Sequence, residues 1–426
     1  MNIRQMTLAN FRGATALSLD LHKDLNVFVG ANGAGKSSLL DAAAILLSWL
    51  VNRTKSANAS GRPITETDIQ NSRSVSKLEM TCRANGEEAQ WKLVKSRRGH
   101  RRPDERSTLD GVNHLARWLQ KQIEDVSEKV QLPVFVYYPV NRAVLDIPLR
   151  IRGKHRFDLL ATYDDSLTSG ANFRTFFEWF REREDLENEN RKYCGELFKP
   201  EGFQFPDPQL DAVRNALMCF MPDFSNLTVR RNPLRMEVVK EGQQLTVDQL
   251  SDGEKCLMAM IGDLARRLAI ANPSEQNPLE GEGVILIDEI DLHLHPRWQR
   301  MVIPKLQEVF PRCQFLISTH SPHVITHVRV ESLFLLTQDL GEGVSVSRPS
   351  ESYGKNVDRV LEDLMGLETT RPDPVDAGIR HIFSLIDQNS FGEAKVAIER
   401  LRELIGEDPD LVRARVLIQR KELIGK

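Results

Sequence analysis

Residues Gly30-Ala31-Asn32-Gly33-Ala34-Gly35-Lys36-Ser37 follow the spacing G-x-x-x-x-G-K-[ST] between an apolar strand pattern and a helical one. These types in this order suit a polyphosphate. Glycines let successive backbone N–H groups curl round an anion, Lys36 supplies a positive point charge for the β- and γ-phosphates, and the Ser37 hydroxyl can ligate Mg2+. Asn32, Gly33, Gly35 and Ser38 belong to the same expected nucleotide contact. A second constellation, Val284-Ile285-Leu286-Ile287-Asp288-Glu289, is an apolar strand ending in two adjacent carboxylates. Alternation turns the two side chains in different directions at the strand end. Asp288 can then hold the Mg2+ shell, directly or through water, while Glu289 orients and deprotonates an attacking water. A glycine turn before a helix, or a buried strand capped by solvated acids, would account for either segment alone. Together in one chain they predict ATP and Mg2+ chemistry.

A third segment, Leu250-Ser251-Asp252-Gly253-Glu254, precedes apolar residues at helical spacing, Leu257, Ile261, Leu264 and Leu268. Ser251 and Glu254 satisfy the S-x-x-E capping box, which is a sufficient structural explanation. The same helix N-terminus is an anion site whose Ser251 hydroxyl and Gly253 N–H can face a phosphate, and neither reading excludes the other. His293, His295, His320 and His323 give HxH and HxxH spacings compatible with zinc, although no cysteine stands nearby to complete a site. The strongest positive run is Lys95–Arg102. Its Arg97, Arg98, Arg101 and Arg102 are candidates for neutralising DNA or RNA phosphates, with Arg230, Arg231 and Arg235 as further cations. A solvated hairpin loop explains the run equally well.

The elements that must position these residues are legible at both ends of the chain. NIRQMTLANF, LSLDLH and DLNVFVG read as strands leading into the glycine loop, and SSLLDAAAILLSWL as the helix after it. KLEMTCRA and EEAQWKLVK read as a strand pair, and VQLPVFVYYPV as a buried strand. The segment FRTFFEWFREREDLENENRKYCGELF starts amphipathic and becomes almost wholly charged, which predicts a projecting helical arm. About 220 positions separate the glycine loop from the later motifs. At ~1.5 Å of helix rise per residue, that permits a short arm and no long coiled coil. The expected organisation is therefore a head of two parts, 1–145 and 209–340, an inserted arm over 146–208 and a C-terminal helical region over 341–426.

Composition narrows the class. The chain has 426 residues, 41% hydrophobic and 27% charged, with a net charge of -3. This is the profile of an ordinary globular protein, so any nucleic-acid contact must come from a local patch. The N-terminus lacks the apolar core of a signal peptide and no apolar run approaches the ~20 residues of a membrane span. Five scattered cysteines without a CxxC pair suggest neither a disulfide framework nor a zinc ribbon. A cytoplasmic location, away from membranes, is the expectation.

With these motifs in view, the chain resembles a known class. LSDGEK is similar to the signature motif of ABC-type ATPases. ILIDEIDLHLHP and FLISTHSP resemble the Walker B/D-loop and switch-histidine segments of the SMC-, RecF- and OLD-like branch, and Phe11-Arg12 in LANFRG resembles its N-terminal arginine motif. The resemblance covers roughly residues 1–50 and 245–330. It implies an α/β fold, an ABC/SMC-like P-loop head, working as a head-to-head dimer or an oligomer of dimers. In that arrangement the signature of one copy closes over ATP held by the other. It further implies that Asp291 belongs to the D-loop, that His320 senses the γ-phosphate as part of the catalytic set, and that Arg12 approaches a phosphate. The usual Q-loop glutamine is not obvious, and Asn141 lies near the expected place.

The whole layout looks like the PtuA-type ATPases of Septu and retron-associated anti-phage systems. Those act with a separately encoded HNH nuclease and, in retrons, also with a reverse transcriptase and its DNA. The resemblance implies an ATP-hydrolysing subunit of a DNA-associated defence complex. The competing readings are an OLD-like nuclease and a RecF-like repair clamp. The C-terminal region lacks the strand-rich, acid-clustered segment that a metal-dependent nuclease needs. A transporter ATPase is disfavoured by the inserted segment and by DLHLHP.

Overall fold

Four short, predominantly apolar strands covered on both faces form the centre of the larger unit. The computed structural model describes residues 1–100, 104–124, 130–140, 157–168, 173–195, 203–339 and 343–424. Asn141, Arg101 and Arg102 lie outside the described residues. The chain divides into two compact units, Met1–Lys355 and Asn356–Lys426.

The first half of the larger unit contains β1 (Asn2–Phe11), β2 (Ala14–Asp20), β3 (Leu25–Val29), α1 (Lys36–Lys55), β4 (Val75–Ala84), β5 (Glu87–Ser96), α2 (Asp110–Glu124) and β6 (Val134–Tyr138). Next come α3 (Phe173–Arg191), α4 (Pro208–Phe220), β7 (Phe224–Arg231), β8 (Leu234–Lys240), β9 (Gln243–Thr246) and α5 (Asp252–Ala271). The unit continues with β10 (Gly283–Ile287), α6 (Pro296–Val309), β11 (Cys313–Ser318), α7 (Pro322–Ile325), β12 (Leu333–Asp339) and β13 (Gly343–Ser347).

Among the described residues the central sheet runs β13-β12-β3-β11-β10-β6. Its pairings are parallel except for the β12–β13 hairpin. Every residue of β3, β6, β10 and β11 is buried. A second sheet, β2-β1-β4-β5, is antiparallel. Its strand β4 alternates buried and partly exposed positions, the pattern of a sheet with one solvated face. The β4–β5 turn is Asn85-Gly86, both left-handed (φ 50° and 82°), as the sharpest hairpin turn requires. Helix α1 packs against both sheets, which is why its Ala42–Leu47 run is apolar all round.

Helix α5 crosses the unit with nearly every side chain buried. Burying Asp263 there is tolerable only because it is paired: Arg266 Nη2 donates to Oδ1 at 2.7 Å, Arg267 Nε to Oδ2 at 2.7 Å and the Tyr138 hydroxyl to Oδ2 at 3.0 Å. Arg267 also donates to the carbonyl of Thr162 at 2.6 Å. Asp263→Ala strands two guanidinium groups in the core, and denaturant unfolding should show a loss of about 3–5 kcal/mol. A loss within experimental error of zero would mean that this network does not hold α5 in place.

Two expectations change. The expected arm, 146–208, is predicted to project, but its described helix α3 lies on the head: Phe173, Phe176, Phe177, Trp179 and Phe180 are buried, and the Phe176 ring sits against Gly262 of α5. Its buried acids are paired, among them Glu187 with Arg214 at 2.8 Å and Glu184 with Arg231. The boundary expected at 341 moves to 355/356, because β13 pairs antiparallel with β12 inside the central sheet.

The smaller unit contains α8 (Val357–Asp363), α9 (Asp373–Asp387), α10 (Phe391–Ile405) and α11 (Pro409–Ile424). Its core joins Ile379, Ile382 and Ile386 of α9 to Ile398 and Leu401 of α10 and Leu411, Ala414 and Ile418 of α11.

Candidate nucleotide site

The glycine loop follows β3 and opens α1. Gly33 and Gly35 adopt φ of 83° and 94°, conformations that side-chain-bearing residues avoid. Gly30 is required for a different reason: a Cβ there would collide with the carbonyl oxygen of Leu336 on β12. Helix α1 has no side-chain cap and no acid in its first turn, so its leading N–H groups and dipole stay available to an anion. Lys36 folds back over the loop, its Nζ donating to the carbonyls of Gly30 at 2.9 Å and Ala31 at 3.0 Å. Burial lowers the Lys36 pKa from the ordinary lysine value, against the opposing pull of Asp288, Glu289 and Asp291. The ammonium therefore sits in the field of the second constellation. Asn32, Gly33 and Ser37 are exposed, and Ser38 and Gly35 are half-buried.

That constellation ends β10, one strand removed from β3 across β11. Asp288 is buried, and its Oδ1 accepts from the hydroxyl of Ser318, the last residue of β11. Glu289 is half-buried with a left-handed backbone, φ 47°. Its N–H donates to Ser318 Oγ at 2.7 Å. Asp291 Oδ1 accepts from Thr319 Oγ1 at 2.5 Å and from the His320 N–H at 3.3 Å, so the segment after β10 is tied to the segment carrying His320. Gln299 of α6 reinforces the same corner, accepting from Ser321 Oγ at 2.7 Å and donating to Leu294 O at 2.8 Å. Tyr137, near the end of β6, lies in the field of Asp288 and Asp41, and burial, then these two charges, raise its phenol pKa. Ser318 and Thr319 lie within the FLISTHSP segment, but their bonds to Asp288 and Asp291 show only in the fold, as do the places of Tyr137 on β6 and Gln299 on α6.

At the start of α5 the capping box forms in full. Ser251 N and Oγ donate to Glu254 Oε2 at 2.8 and 2.9 Å, and Glu254 N donates to Ser251 Oγ at 3.4 Å. Lys240 Nζ donates to the other Glu254 oxygen at 2.6 Å. Burial raises the Glu254 pKa, but Lys240 and Ser251 outweigh it, so the carboxyl lies below its ordinary value. Gly253 packs so closely on the His293 carbonyl that any Cβ would collide with it. Ser251 itself is exposed. The glycine loop is flanked instead by Leu336 and Gln338 of β12 and Val344 of β13.

Arg12, also left-handed (φ 48°), donates through Nε to Asp68 Oδ1 at 2.9 Å and through Nη2 to Asp41 of α1. Burial works against its charge, but Asp41 and Asp68 outweigh it and hold the guanidinium pKa above the ordinary arginine value. Arg62 Nη2 donates to the other Asp41 oxygen at 2.7 Å. In the basic run, Arg97 is half-buried and donates to Ile69 O at 3.3 Å, while Arg98 is exposed and 3.5 Å from Glu66. Arg231 and Arg235 are engaged by Glu184, Asp185 and Glu237. His295 caps α6, its Nδ1 accepting from Arg297 N at 3.2 Å. No group of three His, Cys, Asp or Glu residues suited to a metal occurs among the described residues, so the histidine spacing builds no zinc site there.

These donors fit a triphosphate. Left-handed glycines, an uncapped helix start and the Lys36 ammonium offer positive potential, and the buried Asp288 carboxylate acts on Lys36 from the end of β10. Residues 2–340 match the family model described as the RecF/RecN/SMC N-terminal domain. The chain belongs to the RecF/RecN/SMC N-terminal domain family. Curated relatives extend the match across most of the chain. The Retron Vc95 probable ATPase of Vibrio cholerae serotype O1 biovar El Tor is 30% identical, over 85% of this chain and 78% of the relative. The Retron Ec83 probable ATPase of Escherichia coli is 29% identical, over 88% and 78%. The Septu protein PtuA of Bacillus thuringiensis is 25% identical, over 91% and 90%. This SMC-family chain is an ATPase with an α/β P-loop head and a C-terminal helical unit. No helix among its described residues is long and apolar enough to cross a membrane.

Proposed function

We propose that this SMC-family ATPase is the ATP-hydrolysing subunit of a cytoplasmic, DNA-associated anti-phage defence complex. Two copies close around ATP and regulate a partner HNH nuclease. The observation that carries the ATP part is the sheet order β3-β11-β10, in which the strand leading into the glycine loop lies one strand from the strand ending in Asp288 and Glu289. The defence part is supported by the two retron ATPases and the Septu protein PtuA among its relatives.

In this reading the N–H groups of Asn32, Gly33, Gly35, Ser37 and Ser38 cradle the phosphates while Lys36 balances the β- and γ-charges. Ser37 and Asp288 would hold Mg2+, Asp288 directly or through water, and the ion would neutralise charge developing on the phosphate oxygens. Glu289 accepts the proton of the water that attacks the γ-phosphorus, and the bond to the β–γ bridging oxygen breaks. His320 contacts the γ-phosphate, and Arg12 reaches a phosphate by exchanging its Asp41 contact. The exposed N-terminus of α5 serves the ATP of the opposite copy through Ser251 and Gly253. Within one chain the two half-sites rest on different supports, β12–β13 for the glycine loop and Lys240 with His293 for Ser251.

The partner reading is tested by co-purification with the product of a neighbouring nuclease gene. Capture supports it, and a chain that always purifies alone contradicts it. Nucleic-acid contact is assigned to the basic run, Arg97, Arg98, Arg101 and Arg102, of which Arg98 is exposed and Arg97 donates to Ile69 O. Replacing all four by alanine should weaken DNA or RNA binding and flatten the slope of log affinity against log salt by about 0.7–0.9 for each phosphate that is no longer neutralised. An unchanged slope assigns the run to a solvated hairpin.

A further inference from the structure

We propose that Ser318 is the positioning residue for both carboxylates of the nucleotide site. Its hydroxyl fixes the Asp288 side chain and, through the Glu289 amide, the turn that aims Glu289. The proposal rests on the nucleotide site being the one described. Ser318 is fully buried at the end of β11, the strand that pairs with both β3 and β10. It therefore stands between the strand that leads into the glycine loop and the strand that delivers the acids.

The chemistry of the three groups forces the direction of each bond. A hydroxyl has one proton and two lone pairs, an ionised carboxylate only accepts and an amide N–H only donates. Ser318 Oγ gives its proton to Asp288 Oδ1 and receives the Glu289 N–H at 2.7 Å. The Ser318 carbonyl accepts from Ile290 N at 3.0 Å. Three successive residues after β10 are thus anchored to one residue of β11. The middle one, Glu289, has a left-handed backbone that side-chain-bearing residues rarely adopt, so its direction depends on these anchors. Alanine at 318 removes the donor to Asp288 and leaves the Glu289 N–H without its acceptor. The fold's apolar contacts are hardly changed.

The test uses the full-length chain, a fluorescent ATP analogue and Mg2+. Three quantities are measured: analogue affinity in chelator, the Mg2+ concentration that gives half of the Mg2+-dependent change, and the ATP turnover rate. Thermal unfolding serves as the control. Ser318→Ala should bind the analogue in chelator within about 2-fold of the parent. Its Mg2+ requirement should rise and its turnover fall by about 10–100-fold, the usual effect of removing a partner that orients a metal-ligating group. Ser318→Thr, which keeps the hydroxyl, should recover both. If the alanine variant does not fold, Ser318→Cys keeps the volume with only a weak donor and should show the same Mg2+ shift. A parent-like Mg2+ response in a folded alanine or cysteine variant overturns the proposal, as does a threonine variant as impaired as alanine. A parent chain that binds no analogue overturns the site reading and this proposal with it, so the two failures are distinguishable.

Discussion

Lys36→Ala is expected to abolish ATP turnover to within the detection limit of a phosphate-release assay. The side chain sets a formal positive charge over the glycine loop, bonded to the Gly30 and Ala31 carbonyls, where the loop itself offers only N–H dipoles. Removing one donor that meets developing charge lowers turnover by about 10²–10³-fold. Here the loss also reaches binding, because the charge acts on bound ATP before reaction. Asp288, Glu289 and Asp291 then face the incoming phosphates without their nearby cation, which deepens the defect. The fold should survive, since the ammonium bonds to carbonyls of its own loop and bridges no distant elements. Normal turnover in a correctly folded variant would remove the glycine loop from the site.

Glu289→Gln should separate binding from chemistry. Glutamine keeps the length of the side chain and the backbone bond to Ser318, so ATP affinity should stay within a few-fold of the parent. Turnover should fall by about 10²–10⁴-fold, the contribution of a positioned general base. Since the closed pair would reopen only after hydrolysis, the variant should accumulate in an ATP-bound paired state, visible by sedimentation velocity. A parental rate would mean that another group takes the proton. Lys36→Ala and Glu289→Gln thus predict opposite responses to ATP, no pairing in the first and persistent pairing in the second.

What the sequence reveals of this protein follows from how local each signal is. The glycine loop and the capping box at Ser251 involve residues within one turn of each other, and both take the form their spacing demands. The strands β3, β6 and β10 are legible because burial on both faces leaves apolar runs with no alternation to misread, broken only by Asn26 in β3. Helix α2 is hidden in a polar stretch although Val112, Leu115, Ala116 and Leu119 repeat at helical spacing. Charge is the least transparent signal. The acids of α3 look solvated in sequence, yet Glu184 and Glu187 are buried against Arg231 and Arg214 from distant elements. Arg231 and Arg235 look like free cations for the same reason. Ser318 is invisible in sequence as a partner of Asp288, since the contact spans thirty positions and depends on the β10–β11 register.

The central claim is that two copies share each ATP, and interchain crosslinking tests it most directly. One tagged copy carries Ser251→Cys and a second, differently tagged copy carries Asn32→Cys, both in the Glu289→Gln background. Asn32 is exposed and its expected phosphate contact is through the backbone, so a cysteine there should not disturb the loop. Mixtures in which only one of the two copies carries an introduced cysteine control for the five native thiols, of which Cys82 and Cys313 are buried and Cys194 is exposed. With ATP and Mg2+ a short bismaleimide should join the two tags, and it should fail to do so without nucleotide or when the Asn32→Cys copy also carries Lys36→Ala. ATP-bound copies that never join between tags would contradict the shared site.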